Sequence, residues 1–422
     1  MNYEIHKSSE NDWVGEIPSH WSIIKLKYAA LVQPSNVDKK QNDGEAQVLL
    51  CNYVDVYKNE FIDETIKFME ASASENEIQK FKIQKGDVLI TKDSETPDDI
   101  AIPAYVSKDL GNVLCGYHLA LLRSQKDILK GFYLYYLFKS YRFNQQFTIA
   151  ANGITRFGLS IDDVRNAIIS LPSTAEQTQI AVFLDHKTRL IDDLIIKKQK
   201  LIELLKEERT AFINQAVTKG LDPTVSMKDS GIEWLGNIPE HWSIRKLKYS
   251  ISIKSGDGIA NIEVNPEHLI PIYGGNGIMG YTDSANSDTL ELIIGRVGAL
   301  CGNVYMVGGQ KWISDNALRL TTIDNYEFMY YFLQSMNLND LATKTAQPLI
   351  TGSLVKNQYS ALPPINEQQS IVDYIKLKNN QLSDTISTLK NEIQLMSEYK
   401  TSLINEAVTG KIDVRDYQIT HA

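Results

Sequence analysis

DWVGEIPSHWSIIKLKY at Asp12–Tyr28 returns as EWLGNIPEHWSIRKLKY at Glu233–Tyr249, with 12 of 17 positions identical. A second pair of blocks repeats behind it. LPSTAEQTQI begins at Leu171 and LPPINEQQSI at Leu362, and they lead to FINQAVT (Phe212–Thr218) and LINEAVT (Leu403–Thr409). Between the blocks, Ala29–Ser170 and Ser250–Ala361 are almost unrelated and differ in length by 30 residues. Matched frames around divergent inserts indicate a duplicated chain whose two inserts were tuned to separate tasks.

The matched C-terminal blocks read as long helices. Each opens with proline (Pro172; Pro363 and Pro364) and runs about 40 residues without Gly or Pro to Gly220 or Gly410, which is proper helix punctuation. In the second block Ile375, Leu382, Leu389, Met396 and Leu403 recur every seventh residue, with Ile386 and Ile393 at the half-step. The same offsets in the first give Leu184, Ile191, Leu205 and Phe212, with Ile195 and Ile202 between them; Lys198 alone interrupts, where Leu389 stands in the other copy. That narrow seam of period 3.5 predicts a coiled coil rather than the wide stripe of a globular helix. At about 1.5 Å per residue, such helices are rods of roughly 60 Å. The expected arrangement is an antiparallel pair holding the inserts apart; the alternative is two helices each packed on its own domain.

Polar Gly220–Gly231 reads as the hinge between the halves. In the inserts VLLCNYVDVY, GDVLITK, LELIIGRVGAL and NVYMV read as strands, and Gly131–Phe147 and Asn325–Met336 as aromatic-rich helices whose rings are core. The expected fold class is α/β (α+β): two α/β domains separated by two long antiparallel coiled-coil helices. The boundaries are 1–172 for the first domain, 173–220 for the first helix and 221–232 for a linker. The second domain then takes 233–362, the second helix 363–411 and a tail 412–422.

The 422 residues carry 23% charged and 43% hydrophobic side chains, an ordinary globular balance. A net charge of −9 argues against coating nucleic acid through bulk positive charge, though not against a local basic groove. Cys51, Cys115 and Cys301 are odd in number and widely spaced, which predicts no disulfide framework or zinc site and a reducing cytoplasm. The N-terminus has no basic stretch followed by an apolar core, and no apolar run is long enough for a membrane span.

Catalytic motifs are missing. Gly275-Asn-Gly277-Ile-Met-Gly280 matches G-x-G-x-x-G, but turn residues follow it instead of a helix that would hold a pyrophosphate. A glycine hairpin is expected. Pro97-Asp98-Asp99 lacks a downstream carboxylate-x-Lys pair and reads as a loop. What remains suits recognition. Lys92 follows VLIT, Arg123 ends YHLALLR, and Thr155 and Arg156 sit in the loop GITRFGLS. In the second insert Arg296 lies between glycines in IIGRVGAL, Trp312 and Asn316 in KWISDNALRL, and Lys344 and Gln347 in ATKTAQPLITGS. Arg can grip guanine at two points, Asn and Gln adenine, while Lys, Ser and Thr serve phosphates. These nine residues are the expected DNA-binding set; no catalytic or metal-binding residue is expected.

The twin I-P-x-H-W-S-I segments at Ile17 and Ile238, the openings at Glu176–Gln177 and Glu367–Gln368, the helix ends and the two seams together resemble the specificity subunit of type I restriction-modification enzymes. The likeness covers essentially the whole chain. It implies a non-catalytic subunit whose two target-recognition domains each read one half of a split, asymmetric double-stranded DNA site, with the gap set by the helical spacer. It implies as partners two modification subunits, which methylate adenine with S-adenosylmethionine, and restriction subunits, which use ATP and Mg. Those cofactors belong to the partners, and none is expected in this chain. Two other readings stay open: a structural coiled-coil adaptor without a DNA role, and a self-contained S-adenosylmethionine-dependent modification enzyme.

Overall fold

The computed structural model describes residues 3, 5–11, 13–260 and 262–419. Asp12, which opens the repeat, and residues 420–422 of the expected tail lie outside them. The chain divides into two compact units, Met1–Lys198 with Asn391–Ala422, and Gln199–Lys390. Each half of the repeat thus lends the end of its long helix to the other half's unit.

The repeated blocks fold into the same frame twice. In the first unit Glu16–Pro18 pairs with His6–Ser8 and Ser22–Lys25 with Ile168–Leu171; in the second, Asn237–Pro239 pairs with Met227–Asp229 and Ser243–Lys246 with Tyr359–Leu362. The expected linker therefore contributes a strand, Met227–Asp229. The repeated tryptophans, Trp21 and Trp242, are buried. Trp21 Nε1 donates to Glu176 Oε1 at 3.3 Å and Trp242 Nε1 to Glu367 Oε1 at 3.0 Å. His20 and His241 reach the same carboxylates at 2.8 and 2.7 Å. Both glutamates stand in the first turn of a long helix, where the helix dipole favours negative charge.

The glutamines that follow them close each globule onto its helix. Gln177 accepts from Lys130 N at 2.7 Å and donates to Ile128 O at 2.9 Å. Gln368 accepts from Asn325 N at 2.9 Å and donates to Asp324 Oδ1 at 3.2 Å. Each tryptophan also packs on the end of the other half's helix, Trp21 beside Gly410 and Trp242 beside Gly220. This joint, in which an indole touches one helix's start and the other's finish, is what the repeated motif encodes.

The long helices run Thr174–Lys219 and Ile365–Val408. Asp192 meets Lys400 at 2.7 Å, Lys198 meets Glu392 at 2.7 Å, and Arg209 meets Asn379 at 2.9 Å. As one number rises the other falls, so the helices pack antiparallel. All thirteen seam residues are buried or half-buried, whereas Leu194, Leu377 and Leu395 off the seam are exposed. Lys198, the one break in the seam, spends its charge on Glu392.

The first unit holds a five-stranded sheet in the order Ala30–Pro34, Leu119–Ser124, Val88–Thr91, Pro103–Val106, Phe61–Ile62. Its pairings are antiparallel except the last, which is parallel. Val88–Thr91 is buried at every position, which is why it reads as an unbroken apolar run. The second unit holds a four-stranded antiparallel sheet, Ile251–Ser255, Ala317–Thr322, Glu291–Gly295, Val304–Val307. Ile270–Gly274 and Gly277–Thr282 form a hairpin turning at Gly275-Asn276, with no helix after it.

Two sequence expectations are corrected. The run VLLCNYVDVY is a strand only to Cys51; an Asn52–Asp55 capping box then starts the helix Tyr53–Lys58. Gly131–Phe147 is not one helix but two, Gly131–Lys139 and Tyr141–Ala150, because Ser140 turns out of the first and caps the second through Phe143 N. Most of their rings are core, Tyr133, Phe138 and Phe147 being buried with Phe328 and Phe332 in the second unit, but Tyr141 is 61% exposed.

Candidate nucleic-acid interface

In the first unit the site forms where the central strand Val88–Thr91 ends. The next residue, Lys92, donates its backbone N–H to His118 O at 3.0 Å, and its Nζ lies 4.9 Å from the centre of the exposed Tyr117 ring, within cation–π range. Lys92 O accepts from Leu159 N at 2.9 Å, which ties the Thr155–Arg156 loop to the strand end. His118 Nδ1 hydrogen-bonds Asp93 Oδ2, and Arg156 Nη2 lies 3.4 Å from His118 Nδ1 and 4.0 Å from Asp93 Oδ2.

Beside them is a cavity of about 530 Å³ lined by Tyr53, Tyr57, Asp93, Ser94, Glu95, Asp99, Thr155 and Arg156. Tyr53 and Tyr57 stack with centroids 5.6 Å apart, and the Tyr57 hydroxyl donates to Asp99 Oδ2 at 2.8 Å. That hydrogen bond, with the carboxylate's charge, raises the Tyr57 phenol above its ordinary range, so the hydroxyl stays a donor. Three carboxylates against one guanidinium make the cavity acidic. It suits hydrogen-bond donors rather than phosphate.

Arg123 does not join this cluster. Its guanidinium grips the buried Asp87 at 2.9 and 2.7 Å and Lys82 O at 2.8 Å, which is a two-point internal pair. The sequence places Arg123 at a strand end but gives no sign that a carboxylate waits beneath it.

In the second unit Arg296 and Asn316 meet at a strand end, Trp312 stands on the short strand Trp312–Ile313, and Lys344 and Gln347 lie on a loop tied to Arg296 through its backbone. Arg296 follows the strand Glu291–Gly295 and donates its backbone N–H to Asn316 O at 3.0 Å. Its Nη1 donates to Ser255 Oγ and to Asp315 O, each at 3.2 Å, while its Nε is buried with no hydrogen-bond partner among the described residues. Trp312 Nε1 donates to Asp257 O at 3.3 Å. Lys344 and Gln347 are exposed on a loop. That loop is fastened by Ile350 N to Arg296 O at 2.9 Å and Gly298 N to Pro348 O at 3.1 Å.

The two sites correspond in strand register. Thr91 pairs with Leu119 as Gly295 pairs with Ala317. Lys92 and Arg296 are therefore the same strand-end position, and His118 and Asn316 the same neighbouring one. Sequence reasoning missed His118, Asp93, Tyr53, Tyr57 and Ser255. One signal was present: His118 precedes LALLR as Asn316 precedes ALRL, but the inserts are too divergent to align without the strands.

The family profile of the type I restriction modification DNA specificity domain matches the chain twice, over residues 46–206 and 239–395. The chain is 23% identical over 434 residues to the type I restriction enzyme MjaVIII specificity subunit of Methanocaldococcus jannaschii, covering 95% of each chain. Its fold is similar, at 16% identity and a TM-score of 0.73, to a chain from a study of complex assembly and conformational transition of the type I R-M system, over 94% of this chain and 99% of that one. The HsdS subunit from Thermoanaerobacter tengcongensis is likewise similar in fold, with a TM-score of 0.58 and 16% identity over 96% of this chain and 100% of that one. The repeated frame, the paired helices and the doubled domain match agree: the chain belongs to the type I restriction-modification specificity subunits, the non-catalytic component of those systems.

Proposed function

We propose that the chain reads a split, asymmetric site on double-stranded DNA, one half with each unit. One observation carries the reading: Lys92 and Arg296 occupy the same strand-end position in two inserts of unrelated sequence, each beside a cluster of polar side chains. Thr155 and Arg156 complete the first reading surface, and Trp312, Asn316, Lys344 and Gln347 the second; Arg123 serves structure. Reading domains at 1–172 and 233–362 flank spacer helices at 173–220 and 363–411, with 221–232 linking the halves and 412–422 as a tail. The helix pair fixes the gap. Binding the second half-site is then intramolecular and gains effective concentration.

The duplicated frame offers equivalent surfaces to two modification subunits, and restriction subunits join that assembly. S-adenosylmethionine, ATP and Mg act in those partners, in the cytoplasm. The acidic net charge fits this division, with partners supplying part of the phosphate contact. Arg296→Ala tests the reading in the complex with modification subunits. Affinity for the cognate site is expected to fall about tenfold or more, the loss of one good base contact of about 1–3 kcal/mol, with half-site preference relaxed on one side only. DNA binding by the complex without salt dependence, or none at all, would favour a structural adaptor.

A further inference from the structure

His118 is held as a presented side chain. It sits in the left-handed backbone region at φ 73, which is uncommon for non-glycine residues and best tolerated by Asn, Asp and His. Tyr117 packs edge-on against its ring, with centroids 4.2 Å apart. Asp93 takes Nδ1, and Arg156 stands beside both. Nε2 has no hydrogen-bond partner among the described residues. Asp93 and Arg156 both engage the Nδ1 edge of the ring, which leaves the Nε2 edge to face a ligand.

We infer that His118 is a specificity-determining residue of the first half-site, hydrogen-bonding a base edge through Nε2 while Lys92 donates to an acceptor on the same or the adjoining base pair. The equivalent pair in the second unit is Asn316 with Arg296. Asn can both donate and accept on adenine, and Arg grips guanine at two points. One strand-end position thus demands different bases in the two halves. Asp93 is the positioning residue: it holds the ring through Nδ1.

This inference rests on the DNA-reading proposal, and the test separates the two. The full chain is expressed with its modification subunits, and methylated motifs are read for the native chain, His118→Asn, Asp93→Asn and a deletion of the chain. Asn tolerates the left-handed backbone. His118→Asn is expected to relax or change one position of the first half-site, lowering methylation of the native motif about tenfold or more, with the second half and the gap unchanged. Asp93→Asn leaves the ring and the left-handed residue in place and is expected to relax the same position. A native motif in Asp93→Asn, or relaxation of both halves together, overturns the inference even where His118→Asn fails to fold. If deletion of the chain itself leaves the motif intact, the DNA-reading proposal fails instead.

Discussion

Trp242 Nε1 donates to Glu367 Oε1 across 3.0 Å, joining residues 125 apart in the chain. The ring is buried, and the carboxylate stands in the first turn of a helix whose two ends belong to different compact units. Trp242→Phe keeps much of the packing and removes the donor. A hydrogen bond to a charged group contributes about 1.5–3 kcal/mol, and a loss of that order is expected in denaturant unfolding. Trp234→Phe, at a ring 40% exposed, is the control and is expected to change stability little. Equal effects would refute the joint.

Glu176, the matching carboxylate of the first unit, gives a pH signature. Burial alone would raise its pKa, but hydrogen bonds from His20, Ser173 and Trp21 outweigh burial and hold it below the ordinary 4.5. A carboxyl depressed in the folded state stabilises fully above its unfolded value, and that contribution is lost as pH falls through the folded value. The stability gap between the native chain and Glu176→Gln is therefore expected to be flat above about pH 5.5 and to shrink below about pH 4.5. A gap that widens on acidification would contradict the assignment.

The helix ends supply a graded test. Gly410 and Gly220 both end a long helix in the left-handed region, at φ 72 and φ 74. A Cβ on Gly410 would stand 2.2 Å from Pro18 Cδ, whereas on Gly220 its nearest neighbour is 3.4 Å away. Gly220→Ala is expected to cost about 1–2 kcal/mol for the backbone alone. Gly410→Ala should cost more, because Pro18 and Trp21 must move. Thermal unfolding that ranks Gly220→Ala as the worse variant would show that the close approach is not tight.

Spacer length is the lever on the gap. Four residues added to each long helix lengthen it by about 6 Å, nearly two base-pair steps of about 3.4 Å. The gap in the methylated motif is expected to widen by one or two base pairs, with both half-sites unchanged. An unchanged gap would remove the helices from the role of ruler.

The frame was legible from sequence because each of its devices recurs at a fixed offset. His20 and Trp21 return as His241 and Trp242, Glu176 and Gln177 as Glu367 and Gln368, and the seam keeps its period in both copies. The reason for the repeat was not legible: only the fold brings Trp21 against both Glu176 and Gly410. The strand-end cations Lys92 and Arg296 were found by their place after apolar runs. Arg123 looked the same by that rule and is spent on Asp87. His118 and Asp93 are 25 residues apart, and no local pattern foretells their contact. Tyr53 and Tyr57 were hidden because the apolar run before them reads as a strand, whereas the Asn52–Asp55 capping box turns it into a helix.

The most direct test is genome-wide base-modification sequencing of a strain carrying this chain with its modification subunit, against the same strain lacking only this chain. A split adenine-methylation motif that vanishes on deletion is the predicted result, and it reports both half-sites and the gap at once. An active methyltransferase that leaves the same motifs with and without the chain would contradict the account, because nothing in this molecule would then set where DNA is read.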